Sequence, residues 1–227
     1  MDFVNQLQKK QETFIPPLEN GSRLTRAEFE RRYQAMPEVK KAELIEGKVY
    51  MPSPLRFNSH ANPHFLLIAW LGVYVAATPG VKGGDNATVR LDLDNEPQPD
   101  ALLRIESGQS QISDDDYVEN APELIAEIAA SSASYDSHEK LIVYRRNLVQ
   151  EYLVWRVYDR ALDWYQLRQE EYIKLEPDVS GVIRSQVFPG LWLQVPALLA
   201  GDLATVLNLA QQGLASSEHA AFVKKLT

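Results

Sequence analysis

The sequence predicts an α/β (α+β) protein in which one mixed central sheet is flanked by helices. Residues 59–78 contain no acidic residue, lysine or arginine and are apolar on nearly every side, which is typical of a helix buried against a sheet. Residues 123–130 form a short apolar run after Pro122, as a central strand does. Residues 152–157 and 162–167 are two strand-like segments joined by a short turn. Helices and strands in this order predict helices packed on a single sheet.

The helices are predicted from capping residues and prolines. Thr25 to Glu28 is a capping box, in which the threonine oxygen accepts the glutamate amide while the glutamate reaches back. Asp136 to Glu139 has the same pattern. The two capping boxes predict a helix from Thr25 to before Pro37 and a helix from Asp136 to about Arg146. The long helix has Pro63 in its first turn, where proline is tolerated. Single capping residues predict C-terminal helices from Asp202 towards Leu209 and from Ser217 towards Leu226.

The remaining strands are predicted from alternation and turn residues. Residues 108–119 are acidic and polar, so we expect a solvated loop there. Apolar and polar residues alternate over 87–93, which predicts a half-buried strand. The other predicted strands are a hairpin over 42–51 that turns at Glu46 to Lys48, a strand over 100–105, and edge strands at 172–175 and 187–195, the last of them interrupted by a loop-like Phe188-Pro189-Gly190.

No repeat and no long linker divides the chain. The first twenty residues are polar and include two adjacent prolines, which favours loose order. We therefore expect an N-terminal arm over 1–22, one domain over 23–200 and a helical tail over 201–227. Apolar residues in the tail, from Leu203 to Leu214, suggest a homodimer.

Composition excludes several classes of protein. The 227 residues contain no cysteine, which rules out disulfides, thiolate metal sites and a thiol nucleophile. No segment resembles a signal peptide, and the longest apolar run, 65–77, is shorter than the roughly 20 residues that span a bilayer. We therefore expect a cytoplasmic protein without membrane contact. The net charge of −8 argues against a general nucleic-acid coat, although residues 23–41 hold six basic residues against three acids.

Two acidic residues point to a metal site. Glu127 lies in the apolar central strand, where an ionised carboxylate is costly unless it is paired or binds a cation. Asp100 opens the strand over 100–105, and neighbouring strands would bring both acids within a few ångströms. Two carboxylates that close repel each other, and a divalent cation such as Mg²⁺ removes this conflict. The alternative explanations are a buried ion pair with an arginine or a solvated position on an edge strand for Glu127, and a turn position for Asp100.

Three further residues can join these acids. Lys140 is predicted at the start of the helix after the central strand, where its ammonium would orient a water or offset phosphate charge. Glu43 in the hairpin can add a metal ligand or a water-positioning base, and His60 at the start of the long helix can contact a phosphate. Taken alone, Lys140 is better explained as a solvated lysine on a helix face, and Glu43 as a charged strand or hairpin residue. The sequence lacks the phosphate-loop, Gly-x-Ser-x-Gly and His-Glu-x-x-His motifs.

Taken in order, these segments resemble the Uma-two family of endonucleases, within the PD-(D/E)xK restriction-endonuclease-like superfamily. The resemblance covers roughly residues 24–199, and the order and spacing of the segments carry it more than any single motif. The matching segments are Glu43 to Gly47, Met51 to Pro54 with His60, Gln98 to Asp100, Glu127 in its apolar strand, Tyr135-Asp136 with Glu139-Lys140 and Tyr144, Glu151 to Val154, and Phe188 to Leu191.

The resemblance implies a restriction-endonuclease-like core and a phosphodiesterase pocket that depends on magnesium or manganese. Asp100 matches the superfamily's first aspartate and Glu127 its second acid, so these two would bind the metal. The usual lysine position, two residues after the second acid, is Ala129 here, and Lys140 matches a lysine displaced onto the following helix. Glu43 matches an N-terminal acid of the pocket. The implied substrate is nucleic acid, with DNA as the first choice.

Two other functions stay open at this point. The same fold can serve as a catalytically inactive binding or scaffold protein, which the overall acidity favours because the substrate is a polyanion. In that case we expect Glu127 to be bonded to basic side chains, with no room for a cation. A third hypothesis is a metal-dependent hydrolase that acts on a small phosphoester. The metal-dependent endonuclease is the hypothesis that we favour.

Overall fold

The fold is that of a computed structural model, which describes residues 14–51, 54–129 and 136–227. Most of the predicted N-terminal arm lies outside the described residues, as do Pro52, Ser53 and Tyr135 from the family-matching segments. Two π-helical turns, Phe57–Ala61 and Asp136–Lys140, run directly into α-helices. The α-helices of the described residues are α1 (Arg26–Gln34), α2 (Asn62–Ala77), α3 (Leu141–Arg146), α4 (Val195–Ala200), α5 (Leu203–Leu214) and α6 (Ser217–Leu226).

Within 14–51, 54–129 and 136–227 the strands are mostly short, and they form one large sheet and three small ones. In chain order they are β1 (Glu43–Ile45), β2 (Lys48–Tyr50), β3 (Val81–Asp85), β4 (Val89–Arg90), β5 (Ala101–Ile105), β6 (Gln111–Ile112), β7 (Val118–Glu119), β8 (Leu124–Ala129), β9 (Glu151–Arg156), β10 (Ala161–Arg168), β11 (Glu171–Lys174), β12 (Val182–Arg184) and β13 (Trp192–Gln194).

The central sheet has six strands in the order β11-β10-β9-β8-β5-β3. β8 lies inside the sheet, parallel to β9 and antiparallel to β5. The chain between β8 and β9 contains α3, since parallel neighbours need a crossover connection. All other neighbours in this sheet are antiparallel. The predicted class, a mixed sheet flanked by helices, is confirmed.

Both faces of the central sheet are covered, so β8 is buried along its whole length. Leu124, Ala126 and Ile128 pack in a cluster with residues of α2, α4 and α5. Ile125 and Ala129, which alternate with them, pack in a second cluster with residues of α3 and the β1–β2 hairpin. A polar residue on β8 is therefore hidden from water.

Helix α2 packs on the sheet as its uncharged sequence predicts. Trp70 and Tyr74 are buried, the Trp70 ring packs edge-on against Trp164, and its indole donates to the carbonyl oxygen of Trp192 at 3.0 Å. Of the helices in the described residues, none combines the length and the apolar character that crossing a bilayer requires.

Most predicted elements are confirmed, with small differences at their ends. Thr25 caps α1, and its hydroxyl accepts the amide of Glu28 at 3.4 Å. The carboxylate of Glu28 does not reach back, because it binds the guanidinium groups of Arg31 and Arg32. The hairpin turns at Glu46 and Gly47, which both have positive φ. At the second predicted capping box, the side chain of Asp136 lies outside the described residues.

Four segments differ from their predictions. The strand predicted over 87–93 shrinks to β4, because the chain turns where the amide of Leu91 donates to the carbonyl of Asn95. Residues 108–119 are not a plain solvated loop, since they contain β6 and β7, which pair with each other and with β4. Strand β3 was not predicted at all, and the segment 187–195 is extended only at β13, paired with β12.

Candidate active site

Asp100 and Glu127 lie at facing positions of two neighbouring strands. β5 and β8 are antiparallel, and their register places Asp100, just before the first paired residue of β5, opposite Glu127. Facing residues of such a pair have Cβ atoms about 5 Å apart. Alternation puts Asp100 on the face of Leu102 and Glu127 on the face of Ile125, and these two apolar residues belong to one core cluster. The fold therefore brings both acids to one place.

Asp100 is held as a buried, ionised carboxylate. Its Oδ2 accepts the amide of Ile128 at 2.7 Å, and its Oδ1 lies 3.2 Å from Nε2 of His60 and 3.6 Å from Nζ of Lys41. Burial alone would raise the pKa of Asp100. The hydrogen bond from His60, the charge of Lys41 and the amide of Ile128 outweigh burial and lower this pKa to about 2. Asp100 therefore carries its charge at neutral pH.

Glu127 is bound by a lysine and a tyrosine that follow it in the chain. Lys140 Nζ and the hydroxyl of Tyr144 each donate to Oε1 of Glu127, both at 2.8 Å. The side chains of Lys140 and Glu127 are only 3% and 4% exposed. A spacing of four residues puts Lys140 and Tyr144 on the same side of the helical segment after β8, so one segment delivers both donors.

Glu43 reaches the same lysine from the β1–β2 hairpin. Its Oε1 accepts Lys140 Nζ at 3.0 Å and the amide of Gln98 at 2.7 Å. Lys140 therefore bridges two buried carboxylates, which together compensate its charge. Because Gln98 lies two residues before Asp100, Glu43 also ties the hairpin to the segment that positions Asp100.

Two histidines at the start of α2 lie beside Asp100. His64 Nε2 lies 2.8 Å from the carbonyl oxygen of Asp100 and 3.1 Å from Oδ1 of Asp85. The rings of His60 and His64 are 5.6 Å apart, centroid to centroid. Nδ1 of His60 is buried and has no hydrogen-bond partner among the described residues. Nδ1 of His60 is thus a buried polar atom whose hydrogen bond is unmet among the described residues.

The five residues singled out in the sequence fall into two adjoining groups. Lys140 joins Glu127 to Glu43, and His60 contacts Asp100. The two groups meet where the amide of Ile128, next to Glu127 in the chain, binds Asp100.

Sequence reasoning missed Tyr144 and Lys41 as members of the site. The spacing of Tyr144 from Lys140 was a signal that could have found the tyrosine. Nothing local indicates Lys41, which meets Asp100 only through the packing of the hairpin segment on the sheet.

The donor set at this site fits a hard divalent cation. Asp100 and Glu127 offer carboxylate oxygens, and Mg²⁺ commonly takes one or two carboxylates together with waters and a phosphate oxygen. Within 14–51, 54–129 and 136–227, no three histidine, aspartate or glutamate side chains form a ready-made metal cluster. The residues thus fit a cation that is held by two carboxylates and completed by water and substrate.

The family match and the fold support a nuclease-type protein on a restriction-endonuclease-like scaffold. The chain belongs to the Uma2 family, whose model carries the description "Putative restriction endonuclease" and matches residues 26–196.

Among solved structures, the chain is similar to the crystal structure of "a putative nuclease belonging to DUF820 from Anabaena variabilis ATCC 29413". The two share 16% sequence identity and superpose with a TM-score of 0.57, over 75% of this chain and 97% of that one. At this identity, the likeness shows the fold alone. No curated protein matches the chain.

Proposed function

We propose that this protein is a metal-dependent endonuclease that hydrolyses phosphodiester bonds in nucleic acid, with DNA as the first substrate to test. The observation that carries the proposal is the facing of Asp100 and Glu127 across β5 and β8, with Lys140 Nζ 2.8 Å from Glu127. Membership of a family described as a restriction endonuclease supports the same class of reaction.

Asp100 and Glu127 would hold a magnesium or manganese ion. When bound, such an ion polarises the scissile phosphate and lowers the pKa of a water molecule. The low pKa of Asp100 supports this role, because its carboxylate needs no deprotonation before it binds a cation. The amide of Ile128 fixes one oxygen of Asp100, which limits how that carboxylate can turn.

Lys140 is the residue that we expect to act on the substrate. Its ammonium lies beside Glu127 and would stabilise the negative charge that builds on the phosphate as water attacks. Glu43 and Tyr144 act as positioning residues, because one holds Lys140 and the other holds Glu127. His60 holds Asp100 through Nε2, and a phosphate contact through its buried Nδ1 would require the ring to turn towards the substrate.

Cleavage assays with one isosteric variant test this proposal. The wild-type chain should convert supercoiled plasmid or single-stranded DNA to shorter products with Mg²⁺ or Mn²⁺, and EDTA should stop the reaction. Glu127→Gln keeps the size of the side chain and removes its charge, so cleavage should fall at least about 100-fold. Glu106→Gln is a matched control, because Glu106 is an exposed acid just past the opposite end of β5. Equal cleavage by wild type and Glu127→Gln would refute the proposed site.

A second candidate function is a catalytically inactive binding or scaffold protein on the same fold. The observation that favours it is Lys140, whose ammonium already compensates Glu127 and Glu43 without a metal. In that case, the wild-type chain binds neither Mg²⁺ nor Mn²⁺ at millimolar concentration. The Lys140→Ala variant then binds the same partners as the wild-type chain. Metal binding by the wild-type chain therefore separates the two candidates before any substrate is known.

A further inference from the structure

An exposed aromatic and cationic segment lies directly beside the candidate active site. Leu55, Arg56 and Phe57 come just before His60, in and next to the π-helical turn that runs into α2. Phe57 is 71% exposed and Leu55 63% exposed, while His60 in the same turn contacts Asp100. Two large apolar side chains are thus exposed within five residues of His60, which contacts Asp100.

A second exposed aromatic ring continues this surface along α2. Phe65 is 66% exposed, and the residues of α2 that pack on the sheet, such as Trp70 and Tyr74, leave it outside the core. Eight residues separate Phe57 from Phe65, which corresponds to about 12 Å along a helix. Asn58, Ala61 and Asn62 lie between them in the chain and are exposed too.

The charges around these rings complement a polyanion. Arg56 is exposed and has no ion-pair partner among the described residues. Lys41 lies near the same carboxylate oxygen of Asp100 as His60 does, with Nζ 3.6 Å from Oδ1. Both cations belong to a chain of net charge −8, so positive charge next to the site is a local feature.

We propose that Phe57 and Arg56 bind an unpaired stretch of nucleic acid, with a base stacked on the Phe57 ring and a phosphate on the Arg56 guanidinium. Phe65 offers a second stacking position farther along α2. This inference rests on the proposed nuclease function and names its substrate class as single-stranded nucleic acid. Stacking on aromatic rings is available to unpaired bases, whereas in a duplex the faces of the bases are covered by their neighbours. The acidic chain lacks the broad basic surface that duplex binding normally uses.

Binding measured in EDTA tests this inference apart from catalysis. Fluorescence anisotropy would follow a labelled oligothymidylate and a labelled DNA duplex of the same length. The variants are Phe57→Ala, Phe57→Trp and Arg56→Gln. The matched controls are Ile173→Ala and Arg168→Gln. Ile173 is an exposed apolar residue on β11, three strands away from β8. Arg168 is an exposed arginine at the end of β10, two strands away from β8.

We expect wild type to bind the single strand more tightly than the duplex. Phe57→Ala should weaken single-strand binding at least about 5-fold, and Phe57→Trp should restore it. Arg56→Gln should reduce the slope of log affinity against log salt by about 0.7, the value for one phosphate contact on a single strand. Both controls should bind as wild type does.

Three results would overturn the inference. One is equal or tighter binding of the duplex, and another is unchanged single-strand binding by Phe57→Ala. The third is a Phe57→Ala chain that changes from dimer to monomer in sedimentation, which would make this surface a contact between two copies. If the chain binds single strands in a way that depends on Phe57 but cleaves nothing in Mg²⁺, only the proposed catalysis is refuted. Cleavage that prefers duplex and ignores Phe57 would refute only the inference about the substrate.

Discussion

Lys140 Nζ lies 2.8 Å from Oε1 of Glu127, although the two residues belong to different elements, β8 and the π-helical turn that leads into α3. The contact is almost fully shielded from water. Glu43 closes the arrangement from a third element, at 3.0 Å from the same nitrogen. One ammonium therefore sits between two carboxylates that would otherwise be buried together, and we expect the stability of the fold to depend on it.

Removal of the ammonium should destabilise the fold. Lys140→Met keeps most of the side-chain volume but leaves Glu127 and Glu43 buried without their cation. Breaking a buried ion pair in this way typically costs about 3–5 kcal/mol of unfolding free energy. Urea denaturation followed by circular dichroism measures the loss. The double variant Lys140→Met with Glu127→Gln should recover part of it, and a loss below about 1 kcal/mol would mean that water or other groups already solvate these acids.

Removal of the Tyr144 hydroxyl should affect metal affinity more than stability. Tyr144→Phe loses the hydrogen bond to Glu127 but keeps the ring, which packs edge-on against Tyr152 at 4.9 Å between centroids. We expect metal affinity to fall about 10- to 100-fold, as for other groups that orient a ligand. The unfolding free energy should fall by only about 1 kcal/mol.

Tyr172→Phe is the matched control for that experiment, because the Tyr172 hydroxyl donates to the carbonyl of Val149 rather than to an acid. Titration calorimetry with Mn²⁺ should distinguish the two variants. Equal Mn²⁺ affinity in both would remove the positioning role of Tyr144.

Stability should fall as pH rises, because of one buried carboxyl. Burial, reinforced by the neighbouring Glu30 carboxyl, raises the pKa of Glu96 to about 9, although Arg90 and Arg26 act in the opposite direction. The folded state therefore keeps a proton that the unfolded chain loses near its ordinary pKa. The stabilisation is complete below that ordinary pKa and is lost progressively until the pH passes about 9.

Glu96→Gln should remove this dependence, since an amide does not titrate. Wild type should lose stability between pH 6 and 9 with a limiting slope of about 1.4 kcal/mol per pH unit for one proton. The variant should show a flatter profile and be the more stable protein at pH 9. Urea denaturation at several pH values measures both, and parallel profiles would show that Glu96 is ionised in the folded state.

The sequence predicted those parts of the fold that carry a local pattern. The capping threonine of α1, the uncharged helix α2 and the apolar strand β8 were each recognised from a few adjacent residues. β3 was missed because Lys82, Gly83 and Gly84 show no alternation, and the segment becomes a strand only by pairing its backbone with β5. β4, β6 and β7 were missed or misjudged for the same reason, since each has two residues and exists only through its neighbours.

The candidate site was predictable to a similar extent. Glu127 was recognisable because a carboxylate in an apolar strand is costly, and Asp100 because it begins a neighbouring strand. That the two acids face each other, however, depends on which strands pair in the sheet. No single segment of the sequence encodes that pairing. The bridge from Lys140 to Glu43 joins residues 97 positions apart, and it arises only when the hairpin packs over the sheet.

Manganese binding at Asp100 and Glu127 tests the proposed metal site most directly. Electron paramagnetic resonance or calorimetry should find about one ion bound per wild-type chain, with at least about 10-fold weaker binding in Asp100→Ala and in Glu127→Gln. Glu106→Gln, altered just past the far end of β5, should bind as wild type does. Wild-type protein that takes up neither Mn²⁺ nor Mg²⁺ at millimolar concentration would contradict the metal site, and Lys41 and Lys140 would then be structural counter-charges of Asp100 and Glu127.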